Sequence, residues 1–275
     1  MKLSVRVISY KWLRATVFII AALMLFFSSI SAMAITTADS ANFALRQSHS
    51  LFYKSLPYLG AVALGGVILA SDKDIQRESL RSSIRGTDAD KFFHTVEHFG
   101  TPGPCLTTIA LQVPYGIITR NNEQLYNAAE LAGGFICAQA VTNITKKAFG
   151  RKRPYESSSP YRFFKGGQSF YSGHTVTAFT YSTIMAKNYP RQDLNFIGID
   201  RQIPIIPILM YSASTLVAIQ RIYKNVHWAS DTYVGALAGY GIGSFAVFAG
   251  RKIESRGFHF GYYPGPELIY SFEFN

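Results

Sequence analysis

The chain has 275 residues, of which 48% are hydrophobic and only 16% charged, below the usual quarter. That length suffices for one large domain, and that composition excludes a large polar surface, leaving tightly packed helices, a membrane setting, or both. The formal charge is +11, from 27 Lys and Arg against 16 Asp and Glu.

Residues 1–34 read as an export signal. Lys2, Arg6, Lys11 and Arg14 form a basic front, Ala15 to Phe27 is largely apolar, and Ala32 and Ala34 in "SAMA" have the spacing of a cleavage site. The apolar run is short for a membrane span, which favours cleavage over an uncleaved anchor. Residues 35–100 form an N-terminal helical region, 101–250 a core, and 251–275 a tail.

Six apolar segments then alternate with polar joints: Pro57–Ser71, Pro104–Ile118, Asn127–Thr145, Thr175–Ala186, Ile203–Gln220 and Thr232–Gly250. They are rich in Ala, Leu and Gly, and too long for ordinary strands, so each is predicted helical. The fold class expected is all-α, a bundle of about six core helices with an N-terminal signal segment and a short extended C-terminal tail. The polar stretch Asp72–His98 is expected to hold a further amphipathic helix, with Leu80, Ile84, Phe92 and Phe93 on its apolar side. The tail "FHFGYYPGPELIYSFEFN" alternates at its ends and breaks at "PGP", which suits two short strands. Cys105 and Cys137 both lie in apolar stretches and read as buried thiols, with a disulfide the alternative in an oxidising compartment. No Cys–His cluster suggests zinc.

Polar chemistry concentrates at three junctions between these segments. "KKAFGRKRP" sets Lys146 seven residues before Arg153, followed by Pro154. "SFYSGHT" sets Ser172, Gly173 and His174 just before the fourth segment. "RIYKNVHWASD" sets Arg221, His227 and Asp231 between the fifth and sixth. Alone, each has a bland reading: a solvated basic turn, a capped helix start, or a helix-end His held by a carboxylate. In an up-and-down bundle, however, all three junctions fall at the same end. Lys146 to Lys165 carries seven basic residues and one acidic, so nearly all the excess positive charge of the chain beyond the signal sits in one loop. Arginines there suit bidentate contacts to phosphate oxygens, and a helix N-terminus adds backbone N–H donors. One His oriented by an Asp can attack phosphorus while a second protonates the leaving oxygen, with fixed cations stabilising the transition state.

These motifs resemble the superfamily of type 2 phosphatidic acid phosphatases and vanadium haloperoxidases. Lys146 to Arg153-Pro154 matches its first signature and Ser172-Gly173-His174 its second, with Tyr171 where the family has Pro. Arg221, His227 and Asp231 match the third, with Gln220 where the family has Ser. The resemblance covers about Pro104 to Gly250. It implies that His227 is the nucleophile, forming a phosphohistidine, that Asp231 orients it, and that His174 is the general acid. It further implies that Lys146, Arg153, Ser172, Gly173 and Arg221 bind the phosphate, without metal or other cofactor.

The function expected is a metal-independent phosphoric ester hydrolase acting on a phosphomonoester or diphosphate, plausibly a lipid phosphate or polyprenyl diphosphate, with no nucleic-acid partner. The alternatives are a vanadate-dependent haloperoxidase and a non-catalytic phosphate- or lipid-binding protein. The apolar segments, 12–19 residues each, fall short of a span, favouring a periplasmic enzyme with possible membrane association. An inner-membrane protein with its active site facing the periplasm is the alternative. In the basic loop, Lys147, Arg151, Lys152, Arg162 and Lys165 exceed what the motif needs and flank Tyr155, Tyr161, Phe163 and Phe164, which suits either a surface that meets anionic lipid headgroups or a solvated loop tethered by packed rings.

Overall fold

The computed structural model describes residues 43–82, 85–194 and 199–256. Seven α-helices carry the fold among them: α1 (Phe43–Leu80), α2 (Asp88–Val96), α3 (Pro102–Thr119), α4 (Asn122–Phe149), α5 (Gly173–Asn188), α6 (Ile205–Tyr223) and α7 (Ala229–Glu254). A 3-10 turn, Glu97–Gly100, joins α2 to α3. The expected all-α class holds, and all six apolar segments lie wholly or mostly in helices. The signal segment and the strands expected in the tail lie outside the described residues.

Three local expectations are corrected. First, the polar stretch after Ser71 does not open a new helix, because α1 runs on unbroken to Leu80 with Pro57 inside it. One polar side of it faces the bundle, while Lys73, Asp74 and Arg77 face water: Asp72 and Ser79 are buried, Ser79 Oγ donates to Ile222 O at 3.4 Å, and Gln76 Nε2 donates to Asn225 Oδ1 at 3.0 Å. Second, the amphipathic helix is only the short α2, and its expected apolar side is not all inside. Phe93 stacks on Tyr223 with ring centroids 5.1 Å apart, while Phe92 and Leu80 are exposed and Ile84 lies outside the described residues. Third, Ile203 ends a strand instead of starting a helix. Gln192–Leu194 (β1) and Ile199–Ile203 (β2) pair antiparallel, and α6 begins after Pro204.

Caps set the helix ends that matter for the site. Asn121 caps α4, its side chain accepting from Gln124 N at 3.4 Å. Gly150 stops that helix at φ +48°, a left-handed conformation glycine adopts without steric cost. Ser172 caps α5, accepting from Thr175 N at 3.5 Å.

α5 is the central helix. Almost every residue from Thr175 to Ala186 is buried, with α7, α6 and α4 packed around it. The approach of α7 is close because Gly239 and Gly243 face α5. A Cβ on Gly239 would lie 2.6 Å from Val176 O, and one on Gly243 2.8 Å from Thr180 O. Small residues four apart let two backbones meet in this way. Helix direction alternates from α3 to α7, so the α4 C-terminus, the α5 N-terminus, the α6 C-terminus and the α7 N-terminus share one end. Asp72, Gln76 and Ser79 bring the C-terminal part of α1 to that end as well.

The helices are longer than the apolar segments within them. α4 has 28 residues and α7 has 26, since polar and charged residues such as Glu123, Gln124, Lys146 and Lys147 in α4 and Asp231, Arg251, Lys252 and Glu254 in α7 continue the helix beyond the apolar run. Two of them, α6 and α7, are long and apolar enough to cross a membrane. Large apolar side chains also point outward around the bundle, among them Val62, Leu111, Ile118, Ile136, Ile144 and Phe245. So extensive an apolar exterior marks a surface that meets lipid or protein.

Candidate active site

The three polar junctions meet at the shared end of the bundle. His227 sits in the turn between α6 and α7 and is buried. Its Nδ1 is 2.8 Å from Ser169 O, which makes Nδ1 the donor and leaves Nε2 unprotonated in the neutral ring. Asp231 Oδ2 stands 3.7 Å from the same Nδ1, beyond hydrogen-bond length. The carboxylate therefore acts on the ring by charge and through Ser169, whose hydroxyl donates to Asp231 while its carbonyl accepts from His227. Ser169 was not anticipated, and no spacing rule in "GGQSFYSGH" would have singled it out.

Asp231 is completely buried and held on several sides. It accepts from Trp228 N at 3.0 Å, closing the first turn of α7, and from Arg151. Arg151 corrects the lipid-facing reading of the basic loop. It is wholly buried, donating Nε to Pro160 O at 2.8 Å, Nη1 to Ser230 Oγ at 2.8 Å and to Asp231, and Nη2 to Asp72 Oδ2 at 2.7 Å. Phe163 lies 4.8 Å from its guanidinium and packs with Phe149 and Phe170, so this ring too supports the site. Tyr155, Tyr161, Phe164, Lys147, Arg162 and Lys165 do remain exposed.

The expected phosphate-binding residues cluster beside His227. A Cβ on Gly173 would stand 3.6 Å from Lys146 Nζ, which puts that ammonium at the N-terminus of α5. There the first backbone N–H groups have no partner within the helix. Arg153 and Arg221 act electrostatically on both Lys146 and His227. Among the described residues, no carboxylate pairs with Lys146 or Arg153, and Arg221 Nε is buried without a hydrogen-bond partner. Arg221 Nη1 does meet Glu97 Oε1, at 2.5 Å. Ser172 is buried, and its Oγ accepts from Thr175 Oγ1 at 2.9 Å.

His174 stands in the first turn of α5, half-exposed, with Nε2 3.7 Å from Glu97 Oε1. Burial, reinforced by the Arg221 cation and opposed by Glu97, pushes its pKa down to about 4. Burial likewise lowers His227, against the pull of Asp231, so both rings are neutral at neutral pH. A neutral His227 with a free Nε2 is a competent nucleophile. Gln220, the departure from the family's Ser, donates to Glu97 Oε2 at 2.9 Å. Tyr171, the other departure, is buried and follows a cis peptide bond. Cys105 and Cys137 are free thiols.

A family model described as the PAP2 superfamily matches residues 127–253. A lipid A 1-phosphatase from Porphyromonas gingivalis is 26% identical over 165 residues, 60% of this chain and about a third of that protein's length. The crystal structure of a transmembrane PAP2-type phosphatidylglycerolphosphate phosphatase from Bacillus subtilis superposes at TM-score 0.52 with 19% identity, over 71% of this chain and 94% of the other, and so shares the fold. Aquifex aeolicus LpxE superposes at TM-score 0.43 with 24% identity, over 60% and 88% of the two chains.

Proposed function

We propose that this chain, whose residues 127–253 match the PAP2 superfamily, is a membrane-associated phosphatase that removes phosphate from a lipid-linked phosphomonoester or diphosphate. One observation carries the chemistry: Lys146, Arg153 and Arg221 gather beside a neutral, buried His227, and only Arg221 has a carboxylate partner among the described residues. Cations grouped with so little counter-charge favour a multiply charged anion.

The reaction follows from the groups present. Lys146, Arg153, Arg221 and the N–H groups at the start of α5 bind the phosphoryl oxygens and take up charge as the transition state forms. Nε2 of His227 attacks phosphorus while the bond to the leaving oxygen breaks, and His174 protonates that oxygen. Water then attacks the phosphohistidine and gives its proton to His174, releasing phosphate and restoring His227. Asp231, aided by Arg151 and Ser169, stabilises the positive charge that develops on the His227 ring. In this scheme the fixed cations do the work a divalent metal does in other phosphatases.

The apolar exterior and the two helices fit to cross a membrane support a lipid substrate reached from the bilayer. The P. gingivalis relative, a lipid A 1-phosphatase by name, points the same way. A site facing the periplasm is part of the proposal, since an export signal at the N-terminus would deliver it there. The test is trapping with a 32P-labelled lipid phosphate in detergent micelles. Wild-type protein should carry acid-labile label that His227→Ala lacks, and turnover should persist in EDTA. Label on another residue, or activity lost in EDTA and restored by a divalent ion, sinks the mechanism.

A further inference from the structure

Among the described residues, Glu97 is the one carboxylate beside the cations of the site that no motif accounts for. It lies on the 3-10 turn before α3, outside the region matched by the family. Its Oε1 contacts Arg221 Nη1 at 2.5 Å and stands 3.7 Å from His174 Nε2, and its Oε2 accepts from Gln220 at 2.9 Å. One oxygen thus lies between a phosphate-binding arginine and the proton donor. Gly100, on the same turn, holds this geometry: a Cβ there would sit 3.0 Å from both Cβ and O of His174, so the turn is packed directly on the donor.

We propose that Glu97 is the positioning residue for the His174 proton donor, exchanging Arg221 for the His174 imidazolium when a phosphate group arrives. The inference rests on the phosphatase reading above. A bound phosphate competes for Arg221 with two or three charged oxygens against one, so it displaces the carboxylate. In the free protein Arg221, Gln220 and His174 outweigh partial burial and hold the Glu97 carboxyl below the ordinary range, and after release Gln220 still donates to it while the His174 imidazolium takes the place of Arg221. The charge then acts on the nearest remaining group, His174. The other charged groups acting on that ring are Arg221 on α6, His227 in the α6–α7 turn and Lys146 on α4, each opposing protonation. Glu97 alone favours it among these neighbours, so without Glu97 the ring has only the substrate itself to hold its proton.

The step balances within the groups named. His174, neutral in the free protein, takes up a proton from solvent as the phosphate group draws Arg221 away from Glu97, and that proton goes to the leaving alkoxide as the bond from phosphorus to that oxygen breaks and the bond to His227 Nε2 forms. The neutral ring then accepts the proton of the attacking water. Glu97 gains and loses no proton.

A leaving group that needs no proton separates this role from a structural one. Dodecyl phosphate must be protonated as it leaves, whereas nitrophenolate departs as a stable anion. An opposite charge within about 4–6 Å moves a pKa by about 1–3 units, so Glu97→Gln should lower the ratio of dodecyl phosphate to p-nitrophenyl phosphate turnover by about ten-fold or more above neutral pH. The basic limb of the dodecyl phosphate profile should move to lower pH by about one unit or more. Glu97→Asp keeps the charge and should hold the ratio within about three-fold of wild type. The full chain is assayed in detergent micelles, and melting temperature is recorded for each variant. A ratio and basic limb unchanged in Glu97→Gln overturn the proposal, whether turnover falls equally on both substrates or KM merely tightens. A Glu97→Asp ratio well below wild type overturns it too, and decides the matter if the Gln variant does not fold. Wild-type protein inactive on both substrates defeats the phosphatase reading and this inference together, whereas an active wild type with an unmoved ratio defeats only the inference.

Discussion

Arg151 and Arg153 stand two residues apart in "GRKRP", yet the structure gives them opposite duties, and replacing each with Met separates them. Arg151 is enclosed with two buried carboxylates, Asp72 and Asp231, at its two terminal nitrogens. Removing one partner of a buried pair costs about 3–5 kcal/mol, because a charge is left without compensation. Asp72 has an escape. Burial already pushes its carboxyl above the ordinary range against the Ser230 hydrogen bonds and Arg151, so without the guanidinium it takes up a proton. Asp231 keeps Ser169 and Trp228 N as donors but loses the one cation in direct contact with it among the described residues. The expected loss is therefore about 3–5 kcal/mol, of a total of about 5–15 kcal/mol. At about 2–4 °C per kcal/mol, that lowers the melting temperature by roughly 10 °C. Intrinsic fluorescence in detergent reads it directly, since Trp228 lies 5.6 Å from the guanidinium. The sign with pH is fixed. A carboxyl whose folded pKa is raised contributes stability below its unfolded pKa of about 4 and loses it as pH rises through the folded pKa, so the Arg151→Met deficit should shrink as pH falls from neutral toward that unfolded value. Arg153→Met should melt within a few degrees of wild type while losing phosphate binding. An Arg151→Met protein as stable as wild type, or a deficit that grows on acidification, would refute the buried-charge argument.

Two further outcomes test the packing and the loop. Gly239→Ala places a methyl 2.6 Å from Val176 O and 2.7 Å from Phe179 Cβ, so α7 must move from α5, at a cost of about 1–3 kcal/mol in a denaturant titration; Gly241→Ala on the same helix meets nothing within 4 Å and should be neutral or stabilising. Phe164 is 74% exposed beside Lys147, Arg162 and Lys165, so Phe164→Ser should slow turnover of a long-chain lipid phosphate in micelles several-fold and leave p-nitrophenyl phosphate turnover unchanged; equal loss on both would place the ring in support of the site.

The sequence alone determined what local chemistry can determine. Apolar segments of helical length gave the all-α bundle, because a backbone buried on all sides must satisfy its hydrogen bonds within each segment. Three motifs at alternate helix ends gave the candidate cluster of Lys146, Arg153, Ser172, Gly173, His174, Arg221, His227 and Asp231, since an up-and-down bundle brings those ends together whatever its detailed packing. Only the tertiary structure decided which groups support them. Asp72 lies 159 residues before Asp231 and meets it only through Arg151, and Glu97 reaches Arg221 and His174 from a turn with no motif of its own. Nor could periodicity tell that Asp72 and Ser79 are buried, for a polar residue on a helix faces water or a buried partner with the same local pattern. Burial and charge compensation depend on what another part of the chain places opposite, and that is fixed by packing rather than by neighbours in sequence.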